Sequence, residues 1–241
     1  MTIWEYVLLF SSVLLGGGIA LYIRQQQPLV LRLLLSFSGA YILSIAALHL
    51  LPGIFAGDHS LMGLWLLLGF FIQIILEQLS RGVEHGHIHA HAHAKAGYGI
   101  QILIGLCLHS FIEGMPLSGY PHMHEHGGEI NHLLYGIILH KAPAAFALGI
   151  LLSQSDYSRA FVMISLVIFS LMSPLGAFLG EQFIVNPVAL QRIMAIVVGS
   201  FLHISTTILF EAEGDRQHQI SWKKLLAMIT GLVIALLTML D

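Results

Sequence analysis

The sequence predicts an all-α, polytopic membrane protein with eight transmembrane helices. Three observations carry that expectation. Of 241 residues, 56% are hydrophobic and only 10% charged, against about a quarter charged in an ordinary soluble domain. The mean hydropathy is +0.83. The apolar residues also gather into eight runs, each near the roughly 20 residues that cross about 30 Å of hydrocarbon at 1.5 Å per residue.

Span one is read from Ile3 to Ile23. Glu5 stands where a signal peptide would carry basic residues, and no clear small-residue cleavage site follows, so this helix is expected to be retained. Span two, Leu31 to Leu51, follows the breaker Gln25-Gln26-Gln27-Pro28 and is closed by Pro52-Gly53. Span three is Leu61 to Ser80, span four Tyr98 to Leu117, and span five Asn131 to Leu152. Gln154-Ser155-Asp156 separates it from span six, Ala160 to Gly180. Asn186-Pro187 opens span seven, Val188 to Glu211, and span eight is Leu225 to Leu240. Trp4, Trp65 and Trp222 sit near span ends, where amphipathic rings anchor at the interface. Little chain is left over, so residues 1–241 read as one integral domain with a histidine-rich loop at 81–97. Gly16-Gly17-Gly18, Gly176 and Gly180 permit close helix approach. They are read as packing within the monomer, with the seam of a homodimer as the alternative.

Ten Lys and Arg against thirteen Asp and Glu give a net charge of -3, which excludes a nucleic-acid partner. The lone Cys107 can form neither an intramolecular disulfide nor a cysteine metal cluster. Basic residues set the orientation, because Lys and Arg are retained on the cytoplasmic side. One side carries Arg24, Arg32, Arg81, Lys95, Arg159, Arg216, Lys223 and Lys224; the other has Arg192. That bias puts both termini outside and the loop at 81–97 in the cytoplasm. Short loops without a large external domain point toward a bacterial inner membrane.

Ionisable groups in hydrocarbon cost at least about 2.5 to 3.5 kcal/mol each on the insertion scale, so each is a functional hypothesis by default. Span two holds His49, span four His109 and Glu113, span five His140 and Lys141, and span seven His203. These four spans are expected to face one another around a wet or metal-bearing path. His109 and Glu113 stand at i and i+4, which sets an imidazole and a carboxylate on one helical face. Counting from the expected span ends places His109 about 16 Å above the inner boundary and His140 about 14 Å below the outer one, so both fall near the midplane. Pro116 and Pro143 cannot donate to the carbonyls four residues earlier and are expected to free the oxygens of Ile112 and Leu139. Imidazole with carboxylate is a borderline donor set, suited to Zn2+ and also to Fe2+, Mn2+, Cd2+ or Co2+, whereas Mg2+ or Ca2+ would want oxygen throughout. The alternative is a hydrogen-bonded polar core that only orients helices.

At these residues the sequence resembles the ZIP, or Zrt- and Irt-like, divalent metal transporters. Span four is similar to their His-Ser-x-x-Glu-Gly signature through His109, Ser110, Glu113 and Gly114, and His140-Lys141-Ala142-Pro143 resembles a His-Lys-x-Pro branch. Lesser matches are Leu48-His49-Leu50-Leu51-Pro52, Glu77-Gln78, Ser173-Pro174-Leu175-Gly176 and Gly199-Ser200-Phe201-Leu202-His203. The resemblance implies pseudo-symmetric three-helix repeats around spans four and five, and a metal path among spans two, four, five and seven. Members of the family with two adjacent metals have a carboxylate where Lys141 stands, another ligand at Ala144 and an acidic residue at Ser173. An ammonium repels a second dication and can partly take over its charge. One metal is therefore expected, bound by His109, Glu113 and His140 with Ser110 or water completing the shell. The other reading of Lys141 has it outside the site, snorkelling toward water.

Alternating histidines His85, His87, His89, His91 and His93 offer labile capture on the cytoplasmic side, and His122, His124, Glu125, His126, Glu129 and His132 a similar funnel outside. His49 outside, with His203, Glu77 and Glu211 inside, are candidate relay positions; a hydrogen-bonded core histidine or interfacial carboxylate is the other reading of each. The expected function is uptake of a divalent metal, zinc first, toward the cytoplasm, with the ion as cargo and no prosthetic group. Two alternatives are an intramembrane zinc-dependent hydrolase and a membrane metal sensor.

Overall fold

The computed structural model describes residues 1–22, 28–56, 61–85, 96–120, 131–155, 157–184, 186–210 and 221–238. Regular structure among them is helical throughout. In chain order the elements are α1 (Ile3–Tyr22), α2 (Pro28–Ile45), a π-helical turn (Ala46–Leu50), α3 (Leu51–Phe55), α4 (Met62–Ser80), a 3-10 turn (Val83–His85), α5 (Ala96–Gly114), α6 (His132–Gln154), α7 (Arg159–Phe183), α8 (Pro187–Phe210) and α9 (Trp222–Leu237).

Three helix starts, those of α6, α7 and α9, have a side-chain cap. Asn131 Oδ1 accepts from the Leu134 amide at 3.0 Å, and Ser158 and Ser221 cap α7 and α9 in the same way, satisfying amides that have no carbonyl partner within the helix. Each expected span coincides with a helical stretch, with two departures. Span two is interrupted: just before Pro52, the Leu51 amide reaches back to the Ala46 carbonyl in a π turn that carries His49. Span four ends at Gly114 rather than Leu117. Pro116 brings no amide to the Ile112 carbonyl, and the chain tightens so that the Met115 amide takes it at 3.2 Å. That oxygen is engaged and not free, contrary to the sequence expectation.

Among the described residues, six helical stretches are long and apolar enough to cross a membrane, namely Ile3–Tyr22, Leu29–Phe55, Met62–Ser80, His132–Gln154, Arg159–Phe183 and Pro187–Phe210. The helices α5 and α9 fall short of that measure. Sixteen residues make up α9, while α5 carries Gln101, His109 and Glu113 among its nineteen.

The most intimate pairings are α1 with α6, α4 with α8, α2 with α9 and α5 with α7. Small residues permit them. A Cβ on Gly69 or Gly199 would collide with backbone of the partner helix, at Ile196 and Leu66 respectively, so α4 and α8 cross backbone to backbone. Gly16 meets Ala142, Gly17 meets Leu166, and Gly176 and Gly180 meet Phe111 and Met115. These positions are used within the chain, as the monomer reading expects; Gly18 has open space.

The apolar interior falls into two clusters. Along α6, Leu133, Leu134 and Ile137 belong to one, and Ala145 to Leu152 largely to the other, with His140 and Lys141 between. The same switch occurs from α5 into the turn that follows it, from Ile102 and Leu106 to Leu117 across His109, Ser110 and Glu113. In α7 it runs from Phe169 to Ala177 across Ser170 and Ser173. A buried polar layer therefore lies between the two apolar clusters.

Candidate metal centre

Two helices build the centre of this layer. The helix α5 sets His109 and Glu113 one turn apart, and α6 delivers His140 and Lys141 from its middle. One ligand atom each from His109, Glu113 and His140 lies within 4.8 Å of the others, and all three side chains are buried. His109 Nε2 comes 3.0 Å from Glu113 Oε1, yet the two are not aligned as a hydrogen bond. Among the described residues, neither His140 ring nitrogen and neither Glu113 oxygen has a hydrogen-bond partner. The imidazoles of His109 and His140 stand edge to face, with centroids 6.0 Å apart. Buried polar atoms left unpaired carry a desolvation cost of about 1–3 kcal/mol each. Donors that converge without satisfying one another are the arrangement a cation relieves.

Lys141 lies on the far side of Glu113. Its side chain is 1% exposed, with Nζ 3.7 Å from Glu113 Oε2. The same ammonium donates to the Ser110 hydroxyl at 2.5 Å and to its carbonyl at 3.2 Å. The snorkelling alternative is therefore overturned. Ser110 Oγ is also 3.2 Å from Ser173 Oγ, and Ser173 donates to the Ser110 carbonyl at 2.7 Å. The hydroxyl suggested as a ligand is thus engaged by Lys141 and Ser173.

The rest of the expected path is distributed differently from the sequence reading. Span three, which carries no ionisable group near its centre, enters the polar layer through Gln73: His109 Nδ1 is 2.9 Å from Gln73 Oε1. Ser200 of α8 donates to the same oxygen at 2.9 Å, and Gln73 Nε2 donates to Glu84 Oε1 at 3.3 Å. Sequence reasoning passed over Gln73 and Glu84, and it quoted Ser200 only as part of a motif. The available signal was an amide in the interior of an apolar span, one turn before Glu77.

Glu77 gathers the inner candidates. It pairs with His203 Nε2 and lies 3.4 Å from His85 Nδ1, and the His85 and His203 rings are 6.3 Å apart. Arg81 and Gly82 both adopt positive φ, 58° and 69°, reversing the chain so that Val83, Glu84 and His85 tuck back into the bundle against α4, α6 and α8. At the opposite end, His49 on the π turn stacks on His132 at the start of α6, with centroids 4.2 Å apart and planes 20° apart. Span two thus places its histidine against His132 and not among the central donors. Thr207 binds the His203 carbonyl of its own helix at 2.9 Å. His87, His89, His91, His93, His122, His124, His126 and Glu211 lie outside the described residues.

A family model described as ZIP Zinc transporter matches residues 84–239, which takes in α5 to α9 and every central donor. Among similar proteins, zinc transporter ZIP9-B of Xenopus laevis is 24% identical over 168 residues, covering 66% of this chain and 55% of that protein. Zinc transporter ZIP9 of Micropogonias undulatus is 25% identical over 168 residues, with 66% and 54% covered. Zinc transporter ZIP1 of Danio rerio is 22% identical over 197 residues, with 63% and 64% covered. The chain spans about half the length of the ZIP9 relatives it matches. With most of its length inside the family model, the chain belongs to the ZIP zinc transporter family and is an integral membrane protein.

Proposed function

We propose that the protein moves a divalent metal, zinc first, toward the cytoplasm through a single site on α5 and α6. The observation that carries the reading is the convergence of His109, Glu113 and His140 within 4.8 Å, inside a polar layer that separates two apolar clusters. Two imidazoles and one carboxylate give three borderline donors, so Fe2+, Mn2+, Cd2+ and Co2+ stand as further candidate cargo. Ser110 is already engaged, which leaves water to complete the shell. Lys141 supplies positive charge beside Glu113 where a second metal would otherwise stand, and one ion per site follows.

The relay proposed around this centre starts at His49 and His132 and ends at Glu77, His85 and His203. Positive charge concentrated on one side supports both termini outside. The pairing of spans one with five, six with four, three with seven and eight with two is unchanged when spans one to three are exchanged with six to eight and four with five, which supports a pseudo-symmetric pair of three-helix repeats. Such repeats frame a site that opens to either side in turn. The relatives above are animal proteins, so residence in a bacterial inner membrane rests on loop length alone. Membership in a transporter family sets aside the intramembrane hydrolase.

Metal uptake into proteoliposomes tests the reading. Glu113→Ala is expected to reduce uptake by on the order of 100-fold, at or beyond the upper end of what loss of an outer-shell partner costs in metal sites. Unchanged uptake by a folded Glu113→Ala protein would reject the site.

A further inference from the structure

An imidazole can present a lone pair from one nitrogen only while its proton sits on the other, and the bond made by the second nitrogen decides which. For His109 that bond is to Gln73, whose own amide could point either oxygen or NH2 toward the ring. The surroundings of Gln73 leave one choice. As a carboxylate, Glu84 only accepts, so the amide NH2 turns to it at 3.3 Å. Ser200 donates to the opposite end at 2.9 Å. Gln73 Oε1 then accepts from His109 Nδ1–H at 2.9 Å, and Nε2 is left bare 3.0 Å from Glu113 Oε1. Gln73 and Glu84 are fully buried, and His109 and Ser200 nearly so, which leaves no bulk water to offer a competing partner.

We propose that Glu84, acting through Gln73, is a positioning residue that holds His109 in the tautomer presenting Nε2 to the metal. The inference rests on His109 being a ligand, and it assigns to Glu84, in the buried turn Val83–His85, a role in the geometry of the site. The crossing of α4 and α8 at Gly69 and Gly199 is what brings Gln73 and Ser200 together. Replacing Glu84 by its amide supplies an NH2 that can donate to Gln73, so that Gln73 can flip, present its own NH2 to Nδ1 and move the proton to Nε2, where it blocks the metal.

The test measures zinc affinity by competition with a chromophoric chelator and the His109 ring-nitrogen shifts by NMR, on full-length protein in nanodiscs. Glu84→Gln and Gln73→Leu are expected to weaken zinc binding about 10- to 100-fold, the range for lost outer-shell partners. The Nδ1–H signature of the parent should give way to a mixture in Glu84→Gln. An unaltered tautomer and affinity in folded Glu84→Gln overturns the proposal. His109→Ala separates the two failures. If it too leaves affinity unchanged, His109 is no ligand and the metal-site reading fails; if it abolishes binding while Glu84→Gln does not, only the positioning role falls. Should Gln73→Leu not fold, the near-isosteric Glu84→Gln decides alone.

Discussion

Lys141 is the residue whose neighbours say most about this site. A buried ammonium needs a counter-charge and hydrogen-bond acceptors, and it finds Glu113 at 3.7 Å and both oxygens of Ser110. Removing one partner of a buried ion pair leaves the other uncompensated, at a cost of about 3–5 kcal/mol. Lys141→Met is therefore expected to lower the unfolding temperature of the metal-free protein, and saturating zinc should restore more stability to it than to the parent. Thermal unfolding in detergent, with and without zinc, checks this. An unchanged metal-free transition would mean that Glu113 does not depend on the ammonium. At this scale the sequence was informative where charge was involved: His109, Glu113, His140 and Lys141 are costly in hydrocarbon and announce themselves. Gln73 did not, because an amide carries no charge and its role appears only when His109, Ser200 and Glu84 come together from other elements. The Ser110 hydroxyl was open in the sequence for the same reason, since its engagement by Lys141 and Ser173 depends on how α5, α6 and α7 cross.

Among the helices, closeness of approach decides what each residue can reach. The crossing of α4 and α8 at Gly69 and Gly199 has no room for a side chain on either. Gly69→Leu is expected to destabilise the protein by about 3 kcal/mol or more, because the obstruction is backbone that cannot rotate away. Gly18→Ala, facing open space on α1, is expected to be neutral or to gain up to about 1 kcal/mol of helix propensity. Equilibrium unfolding of the two variants in mixed micelles separates them, and equal effects would show that the crossing is not tightly packed. Span positions were readable from hydropathy alone, since apolar runs of the right length have few other uses. Their ends were less readable. Pro116 and Pro52 both act on the preceding turn, and the outcome, an early end to α5 and a π turn after α2, depends on which amide is near enough to take the carbonyl left over.

At the scale of the whole molecule, the histidine tract and the central donors can be separated by experiment, provided that His85 is treated as part of the bundle. It is buried beside Glu77 and His203, so a deletion testing the loop should begin after it. Removal of residues 86–93 is expected to leave metal uptake within about 3-fold of the parent, a change of well under 1.4 kcal/mol. Loss of uptake would instead make the tract an obligatory part of the transport path. The overall pairing of helices was not legible beyond what family resemblance implied, because α1 with α6 and α2 with α9 are contacts between distant segments whose apolar faces look alike in sequence.

The two apolar clusters on either side of the polar layer have an electrical consequence. Voltage across the bilayer drops where the material is least polarisable, so most of it should fall across those two plugs and little within the layer between them. A dication entering the layer from one face would then traverse roughly half the potential, worth about 2.3 kcal/mol for every 100 mV. Apparent zinc affinity measured in liposomes clamped with potassium and valinomycin should accordingly shift more than tenfold per 100 mV. An affinity indifferent to voltage would mean that water already reaches the layer from the loading side.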